Sequence, residues 1–226
     1  MYRYVIMGVV CLLAGGVPAR AANDAPPPAA ASAAAKPVIS MEEPLPGDFW
    51  TYELRDEISG TVKAVRNDMV TEVTATEISV RFNIQGKPEG LNVYDRSWNL
   101  KSAAPWKYQP HDGPGIQSPL NAGANWKSEG DDVNAGNGNI WKRSGRTKVV
   151  GQETVTTRAG TFETFKIETT FLRRPTNDPT RKMEITQQTW YAPSIDHWVK
   201  RAFTARGNNH LIANNTIELV EYGRKQ

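Results

Sequence analysis

Cysteine is nearly absent. The chain of 226 residues holds one, Cys11, and it lies inside an apolar run near the N-terminus. No disulfide, thiolate nucleophile or cysteine metal site is available to the rest of the chain. Histidine is scarce as well: His111, His197 and His210 are the only three. They show no HExxH or comparable spacing, so no metal centre is expected. No G-x-S-x-G elbow occurs, which removes the usual sign of a hydrolase nucleophile. Long apolar runs are also missing after the first 20 or so residues, and roughly that length is needed to span a bilayer. Helical periodicity is missing too; no window of about a dozen residues repeats apolar positions at helical spacing.

The N-terminus carries the one clear targeting pattern. Arg3 precedes the apolar run Val5–Val17, and Ala19-Arg20-Ala21 follows. A positive start, an apolar core of this length and an A-x-A end predict a secretory signal peptide over residues 1–21. Cys11 sits in the middle of the apolar run, behind Gly8-Val9-Val10, which does not suit a lipid-attachment cysteine. The expected location is periplasmic or secreted. Loss of residues 1–21 removes Arg3 and Arg20 and no acid, so Lys plus Arg falls from 27 to 25 against 24 Asp plus Glu. The formal charge is then +1 instead of +3, and bulk charge calls for no nucleic-acid partner. Residues 22–38 are Ala/Pro-rich, with too little apolar surface to offset ordering entropy, and predict a disordered linker.

Residues 39–226 read as one antiparallel β domain. Glu77–Ile84 alternates Ile78, Val80, Phe82 and Ile84 against Glu77, Ser79, Arg81 and Asn83. That period of two gives a strand with one buried and one wet face. Asp48–Leu54 alternates likewise. Further strands are expected at Thr61–Val73, Leu91–Trp98, Ile140–Thr156, Thr161–Leu172, Met183–Tyr191, Trp198–Ala205 and Thr216–Tyr222, where Thr, Val and aromatic residues are frequent. Turn signals separate them: Ser59-Gly60, Gln85–Gly90, Asn134–Asn139, Pro175–Pro179 and Gly207-Asn208-Asn209. Short links between consecutive strands predict an all-β meander of about ten strands, curved into a barrel, a half-barrel or two packed layers. Gly47-Asp48-Phe49-Trp50 and Gly123-Ala124-Asn125-Trp126 each open a long β region, which raises a duplication.

Lys101–Ala124 is expected to be a long irregular loop, with Pro105, Pro110, Pro114 and Pro119. Such loops are often functional. Trp106 and Tyr108 within it have two possible uses, clamping the loop to the sheet or lining a ligand groove.

Several stretches resemble a known group. Pro119-Leu120…Gly123…Trp126, Val149–Val155 (VVGQETV), Ala159-Gly160-Thr161-Phe162, Lys166-Ile167 and Trp190-Tyr191-Ala192-Pro193…Val199-Lys200 are similar to a pattern of secreted bacterial β-domains that includes the periplasmic TapB-like group. The likeness spans about Pro46–Tyr222 and is strongest after Pro119. Arg158 stands where that pattern has a proline, and Ser194-Ile195-Asp196-His197 replaces its glycine pair. The resemblance implies an exported antiparallel β domain and implies no enzyme activity.

Residue chemistry gives few further leads. Asp196 and His197 are adjacent, and adjacent strand residues point to opposite faces, so no base–orienter pair is expected. All three histidines are expected at surfaces or turns. Asp131, Asp132, Asn134, Asn137 and Asn139 are rich in oxygen, but Arg143 stands where a calcium loop closes with Glu; a hairpin is expected. Glu53, Glu153, Glu168 and Glu184 alternate with apolar neighbours and should face water. Arg173-Arg174, Arg181-Lys182 and Lys200-Arg201 could mark a basic patch or a charged hairpin end. Seven tryptophans are present, mostly suited to packing. The expectation is a non-catalytic envelope domain with no cofactor, binding an apolar small molecule on a concave sheet face. Trp106, Tyr108 and Trp126 are its candidate ligand residues. The alternatives are an adaptor for an envelope protein or polysaccharide, and last an envelope hydrolase.

Overall fold

The computed structural model describes residues 40–110, 113 and 115–225. The signal-peptide and linker expectations, and His111, lie outside the described residues.

The described residues form twelve antiparallel strands closed into one barrel. They are β1 (Asp48–Asp56), β2 (Val62–Val73), β3 (Glu77–Ile84), β4 (Gly90–Asp95), β5 (Leu100–Ala103), β6 (Trp106–Gln109), β7 (Asn125–Asn134), β8 (Ile140–Thr157), β9 (Gly160–Pro175), β10 (Met183–Ala192), β11 (His197–Gly207) and β12 (His210–Arg224). Each strand pairs with its neighbours in sequence, and β1 closes the ring on β12, from Asp48 opposite Arg224 to Asp56 opposite Asn215. Closure leaves no free sheet edge. One 3-10 turn, Pro193–Ile195, joins β10 to β11.

Three strands were not expected: β5, β6 and β7. The first two lie in or beside the stretch read as loop, so Lys101–Ala124 is not irregular throughout. β5 and β6 form a small hairpin around Ala104-Pro105, each only four residues long. After it, Gly113, Gly115 and Ile116 are buried. Gly115 donates its N–H to Asn99 Oδ1 at 2.8 Å, and Ile116 donates to the Ser97 carbonyl at 2.6 Å.

The two GxxW stretches have matching backbones. Gly47 and Gly123 are left-handed, with φ of 93° and 86°. Each donates its N–H at 2.9 Å to a valine carbonyl of the next strand, Val70 and Val149, and each valine starts a bulge. Bulges also precede Tyr94 and Tyr191, and each is followed by a left-handed residue, Trp98 and Asp196. The local geometry of β1–β5 thus repeats in β7–β11.

The barrel is packed at one end and open at the other. Alternation turns one side chain in two inward. Along β3, Ile78 and Val80 are buried, whereas Phe82 and Ile84 are half-exposed. Along β10, Tyr191 and Thr189 are buried and Gln187 and Ile185 are not; along β12, Leu219 is buried and Ile217, Asn215 and Ala213 are not. Along these three strands exposure rises toward the turns, whereas beside the turns at 135–139 and 176–182 the inward Asp132, Arg143, Phe171 and Pro175 stay buried. Geometry explains the gradient. Side chains just fill an eight-stranded barrel, and twelve strands enclose more room.

Aromatic residues fill the packed end. Trp50 lies 1% exposed, stacked on the fully buried His197 with ring centroids 4.0 Å apart. Trp98 meets the same imidazole edge-on at 4.6 Å. Met41, from the segment before β1, enters this cluster and donates its N–H to the Ser194 carbonyl. Each large side chain buried here contributes roughly 1.5–3 kcal/mol.

Candidate functional site

Both β6 and β7 contribute to the open end. In β7 the inward positions are Trp126, Ser128, Gly130 and Asp132, only one of them a large apolar residue. Register places Tyr108 of β6 opposite Asp132, Asp132 opposite Trp141 of β8, and Arg143 of β8 opposite Arg173 of β9. A recess of about 140 Å³ opens among these residues. Its apolar side is Leu100, Phe171 and Ile185; its polar side is Tyr108, Asp132, Arg143 and Arg173.

Asp132 organises the polar side. It is fully buried and accepts from Arg143 Nε at 3.0 Å. Arg173 Nε lies 2.6 Å from its other oxygen, at an angle too poor for a hydrogen bond. The Arg173 guanidinium stands 5.7 Å from the Trp106 ring and 5.5 Å from the Trp141 ring, within cation–π range of both. Burial pushes the Tyr108 phenol pKa up, and the nearby Asp132 adds to the effect, so the hydroxyl stays protonated at neutral pH.

Deeper in the barrel a second charged group crosses the wall. Asp68 accepts from Arg66 Nε at 2.6 Å. The Arg201 guanidinium lies 3.3 Å from the centre of the Trp198 ring, and its Nε is buried without a hydrogen-bond partner. Burial lowers its pKa to about 10, which leaves it charged at neutral pH.

Tyr108 therefore lines the recess, and Trp106, two residues before it on β6, is outside the lining but within 5.7 Å of its Arg173. Trp126 is not in the recess either; its Nε1–H donates to the Gly113 carbonyl at 3.0 Å, and its ring packs against the core cluster. Arg173, Arg201 and Asp132 were missed as site residues. Arg173-Arg174 and Lys200-Arg201 were read as surface pairs, yet in each pair one residue turns inward. The alternation Phe171–Arg173 along an otherwise apolar face was the available signal.

His197 corrects another expectation. It is neither at the surface nor in a solvated turn but 1% exposed, because three tryptophan rings close on it. Its Nδ1 lies 2.5 Å from the Tyr52 hydroxyl, which is 3.0 Å from the Trp198 carbonyl. One assignment satisfies both contacts: the ring donates from Nδ1 and the phenol donates to the carbonyl. Burial depresses its pKa well below the ordinary value, so the ring is neutral. Asp196 points elsewhere. It accepts from Tyr191 Oη at 2.5 Å and Trp98 Nε1 at 3.2 Å. Burial raises its pKa to about 6.

The four strand glutamates engage outer-face neighbours. Glu53 pairs with Arg158, Glu153 accepts from Trp190, Glu168 from Gln188 and Glu184 from Lys182. Asn134 Oδ1 accepts from Gly136 and Asn137 N–H, closing the β7–β8 turn as a hairpin. Larger concavities exist, of about 620 and 510 Å³, along β7–β9. Charged residues such as Glu129, Lys142, Lys148 and Arg174 make up half of their lining, and water solvates these well. The mouth combines apolar surface with convergent polar groups, and such a combination is the mark of a ligand site.

Residues 107–208 match a family described as DUF3108-like, a little under half of the chain. The span contains Tyr108, Asp132, Arg143, Arg173 and Arg201. Two solved structures are similar over most of the chain. A candidate lipoprotein from Parabacteroides distasonis is 15% identical with a TM-score of 0.57, covering 81% of this chain and 99% of its own. A candidate exported protein with a YmcC-like fold from Bacteroides fragilis is 16% identical with a TM-score of 0.54, covering 83% and 100%. At such identities the likeness is one of fold. No curated protein matches the sequence.

Proposed function

We propose that the protein is an exported, non-catalytic binding domain of the cell envelope, whose barrel mouth holds the apolar part of a ligand. The exposure gradient carries this reading. Inward-facing Phe82, Ile84, Ile185, Phe203 and Ile217 are half-exposed at one end of a barrel whose other end is sealed by aromatic rings. Apolar side chains facing a solvent-open interior lose free energy that a ligand's apolar surface would restore, roughly 25 cal/mol per Å² covered. Export is supported by the signal-peptide pattern, by the TapB-like sequence likeness, and by the lipoprotein and exported-protein descriptions of the two similar structures.

The recess of about 140 Å³ is smaller than the roughly 300–1,000 Å³ of enclosed drug-sized sites. It suits one end of a molecule, with the remainder lying along the mouth. Titration with the neutral fluorophore N-phenyl-1-naphthylamine tests the reading. Fluorescence should rise on binding and fall in Ile185→Trp, which fills the recess. An unchanged signal for both proteins would sink it.

A further inference from the structure

Given that the mouth is a binding site, we propose that its ligand ends in a carboxylate, received by Arg173 and Tyr108. Arg66, Arg143, Arg173 and Arg201 face inward in this part of the wall, beside Asp68 and Asp132. Asp68 is engaged by Arg66, and Asp132 makes its aligned hydrogen bond with Arg143. Arg173 is left with a close but misaligned contact to Asp132. Its terminal nitrogens make no hydrogen bond among the described residues, while the Trp106 and Trp141 rings lie 5.7 and 5.5 Å from the guanidinium. The Tyr108 hydroxyl, also without a hydrogen bond among the described residues, lines the same recess. Arg201 stands deeper with neither hydrogen bond nor ion pair among those residues.

A carboxylate matches this set. It is planar, it accepts from the edge of a guanidinium, and a phenol can donate to its second oxygen. Leu100, Phe171 and Ile185 then cover the first carbons of an apolar chain. The recess holds about five water volumes, enough for the carboxylate and a few methylenes. The rest of the chain passes Phe203 and Ile217, which the register places successively deeper along the inward face than Ile185.

Binding of decanoate and decanol to the purified protein at pH 7.5, measured by calorimetry, tests the proposal. A charge-assisted pair should make decanoate bind about 10- to 100-fold more tightly than decanol. Tyr108→Phe, which removes one oxygen, should cut that ratio several-fold without altering decanol affinity; Arg173→Gln should nearly abolish it. Equal affinity for the two probes, or a ratio unmoved in both variants, overturns the carboxylate assignment and leaves apolar binding standing. Failure of both probes to bind overturns the carboxylate assignment and the ligand reading together.

Discussion

Replacing Asp196 by Asn should change how stability depends on pH, by an amount the structure sets. Burial raises the folded-state pKa of this carboxyl to about 6, from 3.8 for the exposed group, while Tyr191, Trp98 and Arg96 oppose the rise and Glu43 adds to it. Above pH 6 the carboxylate is ionised in both states, and folding bears the cost of burying it. As pH falls through 6 the folded protein takes up a proton that the unfolded chain binds only near 3.8. Stability therefore rises, by about 1.4 kcal/mol per pH unit and about 3 kcal/mol in all. His197 acts oppositely. Its buried ring stays neutral, so below about pH 6.5 the unfolded chain gains a proton that the folded one refuses, and stability falls with a similar limiting slope. The two contributions oppose each other between about pH 6 and 4 in the native protein. In Asp196→Asn the histidine contribution stands alone. Urea unfolding of both proteins at pH 7.5, 6, 5 and 4 reads the difference. A constant offset from the altered hydrogen bonds is expected; on top of it, the native protein should gain about 2.4 kcal/mol over the variant from pH 7.5 to 4, since the unfolded carboxyl is itself partly protonated at pH 4. A difference that stays level within about 0.5 kcal/mol would refute a raised Asp196 pKa.

Other outcomes follow from single contacts. Gly47→Ala places a Cβ 2.5 Å from the Lys225 carbonyl oxygen at a φ of 93°, and should cost on the order of 2 kcal/mol or more in urea unfolding. Asp132→Asn removes the carboxylate lying between two guanidinium groups and should destabilise by roughly 3–5 kcal/mol, read as a lowered denaturation midpoint. Trp98→Phe loses an indole hydrogen bond to Asp196, whereas Trp50→Phe removes an Nε1–H with no partner; the first should therefore cost about 1 kcal/mol more than the second.

Strands that bury one apolar face were legible. β3 has the bounds its alternation predicts, and β8 and β10 differ from theirs by one residue at one end. Where the interior is polar, the pattern vanished. β7 turns Ser128, Gly130 and Asp132 inward, so nothing in its sequence alternates in hydropathy. β5 and β6 are four residues each and surrounded by prolines, which reads as loop. These three strands line the recess, and the failure has one cause: a wall whose buried inward positions are polar and paired with charge does not need apolar alternation. His197 was hidden for a different reason. Its burial comes from rings contributed by β1, β11 and the Asp95–Leu100 turn, and no local pattern records such a meeting.

The central claim is that the mouth of the barrel carries a ligand. Native mass spectrometry of the protein purified from envelope extracts, beside Ile185→Trp prepared identically, tests it most directly. The account predicts a defined added mass on the native protein and none on the variant, whose indole occupies the recess. A native protein that is consistently bare, or an added mass that survives in Ile185→Trp, would contradict it.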